Sequence, residues 1–373
     1  MKLREFELER YFARWEFVAP HLLCSSDAEA LSLQELVAMA DEEALDLWQE
    51  LALGYTESAG HPLLRAEIAN LYDKLEPEDI LTLSGAEEGI FLFAHALFST
   101  GGHAVVVTPA YQSLYEVVLS TGAEVTRVPL EAQAGWRLDL DAVAAALRPD
   151  TRAIVVNYPH SPTGALLPVK DYQRLVDLAR EADAYLFSDE VYRFLEFDEA
   201  VRLPAGADAY NKGVSLGVLS KAYGLAGLRV GWIATRDRDL LRRIVALKDY
   251  TTICGSAPSE ILGLIALRAQ QETVGRVRGI VETNMPHLDG LFDRWSSVLE
   301  WVRPEGGTVG FPRLKSDLPV AAFADQLREA EGVLLLPGDL FEHFGNHFRL
   351  GFGRRNLPQV LPRLERFLQQ HCG

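Results

Sequence analysis

Lys221 and Arg229 stand close together in the middle of the chain, and the pair could bind and activate an aldehyde that carries a phosphate. Lys221 follows an apolar run that predicts a strand over 214–220, where a charged ammonium group is costly to bury unless it is neutralised or reacted. Desolvation favours the neutral amine, which attacks an aldehyde to form a Schiff base. Arg229 would supply a nearby positive charge and hold the phosphate. The alternative leaves Lys221 in solvent and pairs Arg229 with a surface carboxylate.

Asp189 ends another apolar run, 184–189, and is predicted to lie at the carboxyl edge of a sheet, where open α/β folds bind their ligands. A carboxylate there can pair with a protonated pyridine nitrogen. The pairing keeps such a ring positively charged, so the ring can absorb the electrons released when a bond to a substrate α-carbon breaks. Tyr192 could donate a hydrogen bond to an oxygen on the ring. A helix cap is the alternative role for Asp189.

Three further motifs carry chemistry at the ends of apolar runs. Gly85 and Ala86 join a predicted strand to a predicted helix, where small residues let backbone N–H groups close on a phosphate. Tyr111 follows another strand and could stack on a flat heterocycle, although core packing also explains an aromatic ring there. Arg349 lies in an apolar run near the C-terminus. Its burial would be justified by a bidentate clamp on a carboxylate or by a structural salt bridge.

The elements that must position these residues alternate in a regular way from about residue 80 to 235. Short β-rich runs are separated by amphipathic stretches, as in βαβ units around a mostly parallel sheet. The predicted strands are ILTLS, AVVVT, AIVVNY, AYLFSD, VSLGVLS and LRVGWIAT, and helices are predicted to end at Phe98, Val118 and Ala182. Long helices follow from about 238 to 297, and LLLPG and HFRLGFG return to strands.

The chain contains no internal repeat, low-complexity tract or obvious linker, which favours two domains that share long packed segments. We predict an N-terminal segment (1–45) that contributes to a small domain and to an active-site lid. A large cofactor-binding domain (46–255) and a small C-terminal domain (256–373) follow. The fold class expected is α/β, with a mostly parallel sheet of seven strands in the large domain.

Composition narrows the classes of function. The 373 residues are 48% apolar, enough for a large core, and the net charge of −17 disfavours nucleic acid and anionic membranes as partners. Three cysteines, at 24, 254 and 372, form no disulfide framework and no metal-binding pair, so no metal is expected. The N-terminus lacks a signal-peptide core, and no apolar run approaches the ~20 residues of a membrane helix. We therefore expect a soluble cytoplasmic protein.

Taken together and in this order, the motifs resemble those of fold-type I pyridoxal 5′-phosphate (PLP) enzymes, specifically the class I and II aminotransferase family, over nearly the whole chain. SKAYGLAGLRVGW is similar to the family's Schiff-base lysine motif, which implies that Lys221 carries PLP and that Ser220 and Arg229 bind its phosphate. SDEVY resembles the pyridine-nitrogen motif, which implies that Asp189 binds that nitrogen and that Tyr192 donates to the ring oxygen.

Other motifs extend the resemblance to the substrate. SGAEEGI resembles the phosphate turn, with Gly85 and Ala86 as backbone donors, and PAY gives Tyr111 the stacking role. FRLGF is similar to the substrate-carboxylate motif and makes Arg349 the clamp on the α-carboxylate. We add Ser26 as a second candidate substrate-binding residue.

GYTESAGHPLLRAEIA resembles a family segment whose tyrosine reaches the phosphate in the neighbouring subunit. The resemblance gives this role to Tyr55 and implies a homodimer with shared active sites. PEGGTVGF and LLPGDLF are similar to motifs of the family's small domain. The implied function is transfer of an amino group between an amino acid and a 2-oxo acid.

Two departures from the family pattern keep other functions open. The NPTG motif reads SPTG, so Ser161 replaces an asparagine that donates to the ring oxygen, and Val218 replaces a hydroxyl residue that often binds the phosphate. Similar patterns occur in capreomycidine synthases, PLP enzymes that eliminate and cyclise on an arginine derivative. A lyase, cyclase or oxidase is therefore the first alternative, with a cationic substrate suggested by Glu16 and Asp27 in the lid. A regulatory protein that keeps the fold without catalysis is the second.

Overall fold

The computed structural model describes residues 2–342 and 344–371. Cys372, the third cysteine of the sequence, therefore lies outside the described residues. The strands in this part of the chain are β1 (His21–Leu22), β2 (Ile80–Leu83), β3 (His103–Thr108), β4 (Glu124–Pro129), β5 (Thr151–Asn157), β6 (Tyr185–Asp189), β7 (Gly213–Val218), β8 (Gly231–Ala234), β9 (Leu299–Glu300), β10 (Val309–Gly310), β11 (Arg313–Leu314), β12 (Val333–Leu334), β13 (Leu336–Pro337) and β14 (Phe348–Gly351).

The helices in the same residues are α1 (Glu7–Trp15), α2 (Leu33–Val37), α3 (Glu42–Gln49), α4 (Pro62–Ala69), α5 (Ala86–Phe98), α6 (Ser113–Ser120), α7 (Leu140–Ala146), α8 (Val169–Glu181), α9 (Gly206–Ala209), α10 (Arg238–Lys248), α11 (Ala257–Arg268), α12 (Gln270–Arg294), α13 (Val320–Glu331) and α14 (Leu357–His371). None of these helices is long and apolar enough to cross a membrane.

Strands β2 to β8 form one seven-stranded sheet in the order β2-β8-β7-β6-β5-β3-β4. Only β8 runs antiparallel to its neighbours, β2 and β7, and the other pairs are parallel. The predicted mostly parallel α/β sheet is therefore confirmed. The sequence analysis did not predict the edge strand β4, because a sheet edge tolerates exposed polar residues and this strand is largely exposed.

Both faces of the sheet are covered by apolar clusters, as expected for parallel strands flanked by helices. Within β5, Ala153 and Val155 pack in a first cluster with α5 and α10, whereas Ile154 and Val156 pack in a second cluster with α8. Successive side chains alternate between the two faces of a strand. Its continuous apolar sequence thus follows from burial on both sides.

A second, smaller unit is assembled from both ends of the chain. Strand β14 pairs with β10 and β13, and β1 near the N-terminus pairs with β12. A third apolar cluster contains Leu23 together with residues of α13, α14 and the second half of α12. Helix α11 packs instead in the first cluster, with Val274 and Val277 of α12. The predicted domain division remains a proposal, and this packing favours a boundary inside α12 rather than at 256.

Helix α1, which the sequence analysis did not predict, lies across the large domain near Gln112. Its Leu8 and Phe12 are buried in the second cluster. The N–H of Glu7 donates to Oε1 of Gln112 at 3.1 Å, and Nε2 of Gln112 donates to the carbonyl of Glu5 at 2.9 Å. These contacts hold the N-terminal segment beside the end of β3.

Candidate active site

The carboxyl ends of β2, β3, β5, β6 and β7 meet at one edge of the sheet, and β8 begins there because it runs in the opposite direction. At each of these positions, a residue that could bind a ligand or take part in a reaction lies in the last part of the strand or in the adjoining loop. These residues are Gly85, Tyr111, Asn157, Asp189, Lys221 and Arg229. The topology thus brings together motifs that are far apart in the sequence.

Lys221 is half-buried, and its amine is held by the N-terminal segment. Nζ donates to Oγ of Ser26 at 2.8 Å and lies 5.8 Å from the centroid of the Tyr192 ring. The hydroxyls of Tyr192 and Thr308 donate to the carbonyl of Ser26 at 3.1 and 2.8 Å. The predicted lysine, tyrosine and serine therefore lie together, and the alternative of a solvent-exposed lysine is not what the structure shows.

Asp189 is 5% exposed and is the buried acid of this edge. Burial raises the pKa of its carboxyl to about 7, whereas the N–H of Val191, donating to Oδ1 at 3.2 Å, and the charge of Lys221 oppose the rise. The alternative of a helix cap is wrong, because a turn rather than a helix follows β6. A cation placed against Asp189 would stabilise its ionised form.

Asn157, at the end of β5, is a site residue that the sequence analysis missed. Its Nδ2 donates to the carbonyl of Asp189 at 2.9 Å, and its Oδ1 accepts from the N–H of Ser161 at 2.7 Å. The asparagine therefore fixes Ser161 relative to Asp189. The hydroxyl of Ser161 forms no hydrogen bond within the described part of the chain. A polar residue closing the apolar run AIVVNY was the available signal.

The turn after β2 is shaped to hold an anion. Gly85 has φ +83°, and a Cβ there would lie 2.7 Å from Nη2 of Arg229. A Cβ on Gly231 would lie 2.7 Å from the carbonyl carbon of Gly85, so both positions require glycine. Arg229 donates to the carbonyl of Ala226 at 3.2 Å. It pairs with no carboxylate among residues 2–342 and 344–371. Its guanidinium and the N-terminus of α5 could together hold an anion.

Two residues beside this turn differ in what they can offer a phosphate. Ser220 is 7% exposed and keeps a hydroxyl between β7 and Lys221. Val218 packs in the first apolar cluster and cannot donate a hydrogen bond. The donors available to an anion at this turn are therefore the α5 N-terminus, Arg229 and Ser220.

Glu87, in the first turn of α5, is a second residue that the sequence analysis missed. Its Oε2 accepts from the hydroxyl of Ser113 at 3.1 Å. Burial, together with the negative charges of Glu9 and Asp189, raises the pKa of this carboxyl to about 7, although the hydrogen bond from Ser113 and the charge of Arg229 oppose the rise. A carboxyl beside the anion-binding turn thus changes its charge near neutral pH.

The Glu87→Gln variant tests this arrangement through the affinity for a phosphate-bearing ligand. Above pH 7 the wild-type carboxylate repels a phosphate, whereas below pH 7 the carboxyl is neutral, as glutamine is at any pH. We expect the variant to bind PLP about tenfold more tightly than the wild type at pH 8.5 and equally at pH 5.5. Titrating each apoprotein with PLP over this range measures the difference. Parallel profiles would contradict the role given to Glu87.

Tyr111 is joined to the N-terminal segment rather than packed in the core alone. Its hydroxyl donates to Oε1 of Glu9 at 2.6 Å, and its ring centroid lies 4.9 Å from that of Phe6 at an interplanar angle of 52°. Burial raises the pKa of the Tyr111 phenol well above its ordinary value. The segment around α1 therefore covers the edge of the sheet at the predicted stacking residue.

Arg349, on β14, is 2% exposed yet incompletely paired. Nε donates to the carbonyl of Cys24 at 2.9 Å, and the buried Nη2 has no hydrogen-bond partner. The rings of Phe12 and Phe341 lie 5.5 and 5.8 Å from Cζ. No carboxylate pairs with it in the described residues, so a structural salt bridge does not account for its burial. An unpartnered buried guanidinium nitrogen is costly unless a ligand completes it.

Tyr55 is not brought to the site of its own chain. It is 91% exposed in the loop between α3 and α4, and Leu53, Tyr250 and Ile253 are exposed as well. Its predicted contact with a phosphate in a neighbouring subunit therefore stays a prediction.

The residues at this edge fit a flat aromatic aldehyde that bears a phosphate. The turn at Gly85 and Arg229 can hold the phosphate, Asp189 is a buried acid suited to a ring cation, and Lys221 offers an amine. The unpaired Nη2 of Arg349 leaves a place for a carboxylate. Among the described residues, no group of His, Cys, Asp and Glu side chains could hold a metal ion.

Comparisons with known proteins agree with this fit. Residues 22–362 match the family described as aminotransferase class I and II. The chain is 32% identical to capreomycidine synthase of Streptomyces vinaceus, over 83% of this chain and 78% of that protein. It is 30% identical to an arginine–pyruvate transaminase of Pseudomonas aeruginosa, over 80% and 77%. The structure also resembles that of a PLP-dependent aminotransferase from Streptococcus suis, with a TM-score of 0.94 and 32% identity over the full length of both chains.

Proposed function

The chain belongs to the class I and II aminotransferase family and is a PLP-dependent enzyme of fold type I, and from this premise we propose that Lys221 carries the cofactor while an amino group passes from an amino acid to a 2-oxo acid. The observation that carries the proposal is the convergence of Lys221, Asp189 and the anion site of Gly85 and Arg229 at one edge of the sheet. The three features match the aldehyde, the ring nitrogen and the phosphate of PLP.

We assign the remaining cofactor contacts residue by residue. The N–H groups at Gly85 and Ala86, the hydroxyl of Ser220 and the guanidinium of Arg229 would hold the phosphate. Tyr111 would cover one face of the ring, and Tyr192 and Ser161 would donate to its oxygen. When bound, PLP draws electrons from the bonds at the α-carbon of an amino acid.

The chain's own groups would then place the substrate and move its proton. Arg349 would bind the α-carboxylate with the nitrogen that is unpartnered in the structure. The amine of Lys221 would take the proton from the α-carbon, because a correctly positioned amine can act as a general base. Ser26 accepts a hydrogen bond from Lys221 and would keep the amine oriented. Helix α1 would restrict the entry of water to this edge.

A second function, elimination or cyclisation on an amino acid, is favoured by one specific observation. Capreomycidine synthase is 32% identical to this chain, as similar as any aminotransferase named above. Ser161 and Val218 also depart from the aminotransferase pattern at the ring oxygen and the phosphate. A weaker hydrogen bond to the ring oxygen would alter which bond at the α-carbon breaks.

The need for an acceptor separates the two functions. We expect the purified holoenzyme to convert only one equivalent of amino donor per active site when no 2-oxo acid is present. Adding pyruvate or 2-oxoglutarate should restore continuous turnover, because an aminotransferase must pass its amino group on before it can react again. Amino acid and 2-oxo acid products are measured by chromatography. Continuous turnover without an acceptor, with ammonia release or oxygen uptake, would overturn the proposal in favour of the second function.

We further propose that two copies of the chain form a homodimer in which Tyr55 of one subunit reaches the phosphate site of the other. The exposed apolar side chains of Leu53, Tyr55, Tyr250 and Ile253 support this interface. The loops that carry them are in contact, since Ser58 donates to the carbonyl of Ile253 at 2.6 Å and Thr56 donates to that of Gly255 at 3.3 Å. A cytoplasmic location is supported by the two free thiols, Cys24 and Cys254, among the described residues.

A further inference from the structure

The N-terminal segment carries carboxyl groups toward the predicted substrate site. Glu9, Phe12 and Glu16 are spaced three and four residues apart and share one face of α1 and its C-terminal cap. The ring of Phe12 on this face lies 5.5 Å from Cζ of Arg349. The same face therefore looks toward the residue that would hold the substrate α-carboxylate. Asp27 is the third acid of this region.

The three acids differ in whether they are already paired. Asp27 accepts from Nη2 of Arg354 at 3.1 and 3.2 Å, and Glu9 accepts from the hydroxyl of Tyr111 at 2.6 Å. Glu16 is half-buried and makes neither a hydrogen bond nor an ion pair through its side chain within the described residues. Among the three acids of this region, Glu16 is therefore the one whose carboxylate has no partner within the described residues.

The charged groups that act on Glu16 include Arg349, the predicted ligand of the substrate carboxylate. Burial raises the pKa of Glu16, the negative charges of Asp27 and Glu9 raise it as well, and the positive charges of Arg354 and Arg349 oppose the rise. Arg354 is already engaged by Asp27, and Arg349 would be engaged by the substrate carboxylate. A bound amino acid therefore leaves Glu9 and Glu16 without a counter-ion, which favours a cation between them.

The direction of the substrate side chain follows from the two ends that are held. With the carboxylate at Arg349 and the α-carbon at Lys221, the side chain would meet aromatic rings of the N-terminal segment, because Phe12 lies 5.5 Å from Cζ of Arg349 and Phe6 lies 4.9 Å from the ring of Tyr111. Aromatic faces and unpaired carboxylates both attract cations, whereas they repel an acidic side chain.

We propose that the amino donor carries a positively charged amino or guanidino group at the end of its side chain, and that the carboxylate of Glu16 binds that group. This inference rests on the proposed function for the placement of the α-carboxylate and α-carbon. It names a substrate class, basic amino acids, and a specificity-determining residue on α1.

Matched pairs of donors test the proposal on the holoenzyme. L-Arginine and L-citrulline have nearly the same shape but differ in charge, as L-lysine and L-norleucine differ in their terminal group. We expect kcat/KM to be at least about tenfold higher for the charged member of each pair. Glu16→Gln should remove this preference by lowering kcat/KM for the charged donors. Glu7→Gln, on the opposite and exposed face of α1, should keep the wild-type preference.

A binding measurement separates this inference from the proposed function. 5-Guanidinopentanoate and pentanoate lack the α-amino group and cannot react, yet both can bind Arg349. Calorimetry on the holoenzyme should show tighter binding of the guanidino compound, and Glu16→Gln should abolish the difference. If these compounds behave so but no acceptor supports turnover, the proposed function fails and the inference stands. Equal binding of both, or a charge preference unchanged in Glu16→Gln, would overturn the inference.

Discussion

The Lys221→Ala variant is expected to lose about 10²- to 10⁴-fold in kcat or more, the range contributed by a positioned proton-transfer group. The alanine side chain can neither attach to PLP nor take the proton from the substrate α-carbon. The cofactor should also wash out when the variant is passed through gel filtration without added PLP, whereas the wild type stays yellow. Steady-state rates with a saturating donor and acceptor, together with the visible spectrum, measure both effects.

Lys212→Ala is the matched control for this prediction. Nζ of Lys212 donates to the side chain and the carbonyl of Asp183, at 2.6 and 2.9 Å, on the amino-terminal side of β7. Its loss should change neither the spectrum nor kcat. A Lys221→Ala enzyme with a wild-type rate would rule out the assignment of the active amine.

The Asp189→Asn variant is expected to show the second largest effect, a loss of about 10²- to 10³-fold in kcat, as when a preorganised electrostatic partner is removed. The amide keeps the size of the carboxyl but cannot hold a protonated ring nitrogen. The site would then lose the charge that lets the ring draw electrons from the α-carbon. Affinity for PLP should weaken as well, because the protonated ring nitrogen loses its carboxylate partner. Rates and PLP titrations of the variant measure both changes.

Glu190→Gln provides a control with a neighbouring buried acid. Oε1 of Glu190 accepts from the N–H of Gly206 at 2.7 Å and from the hydroxyl of Ser215 at 2.9 Å, so its bonds are structural. The change should lower the melting temperature more than it lowers kcat. If Asp189→Asn and Glu190→Gln behaved alike, Asp189 would be an ordinary buried acid rather than the partner of the ring.

The central sheet and the residues that close its strands were predictable because they depend on local patterns. Apolar runs of four to seven residues followed by Lys221, Asp189 and Gly85 indicate strand ends, and parallel strands bring their carboxyl ends to one edge. The edge strand β4 carries no such pattern, because one side of it faces solvent. Its existence depends on pairing with β3, which no local signal records.

The parts of the site that escaped prediction depend on contacts between distant segments. Glu87 carries no sequence signal of its own, and only its contacts with Ser113 and the charge of Arg229 connect it to the turn at Gly85. Asn157 ends a predicted strand, and nothing in the sequence indicates that its side chain accepts a hydrogen bond from the N–H of Ser161 in the following turn. The sequence analysis did not predict helix α1, because the segment carries many charges and only Leu8 and Phe12 of the helix are buried. Sequence spacing cannot show which of its acids are already paired.

The account depends on a covalent link between PLP and the side chain at position 221. Reducing the holoenzyme with borohydride, digesting it and identifying the modified peptide by mass spectrometry tests this link directly. We predict a single phosphopyridoxyl addition on the peptide that contains Lys221. An addition on another lysine, such as Lys212 or Lys248, or no addition to an enzyme that is coloured by bound PLP, would contradict the account.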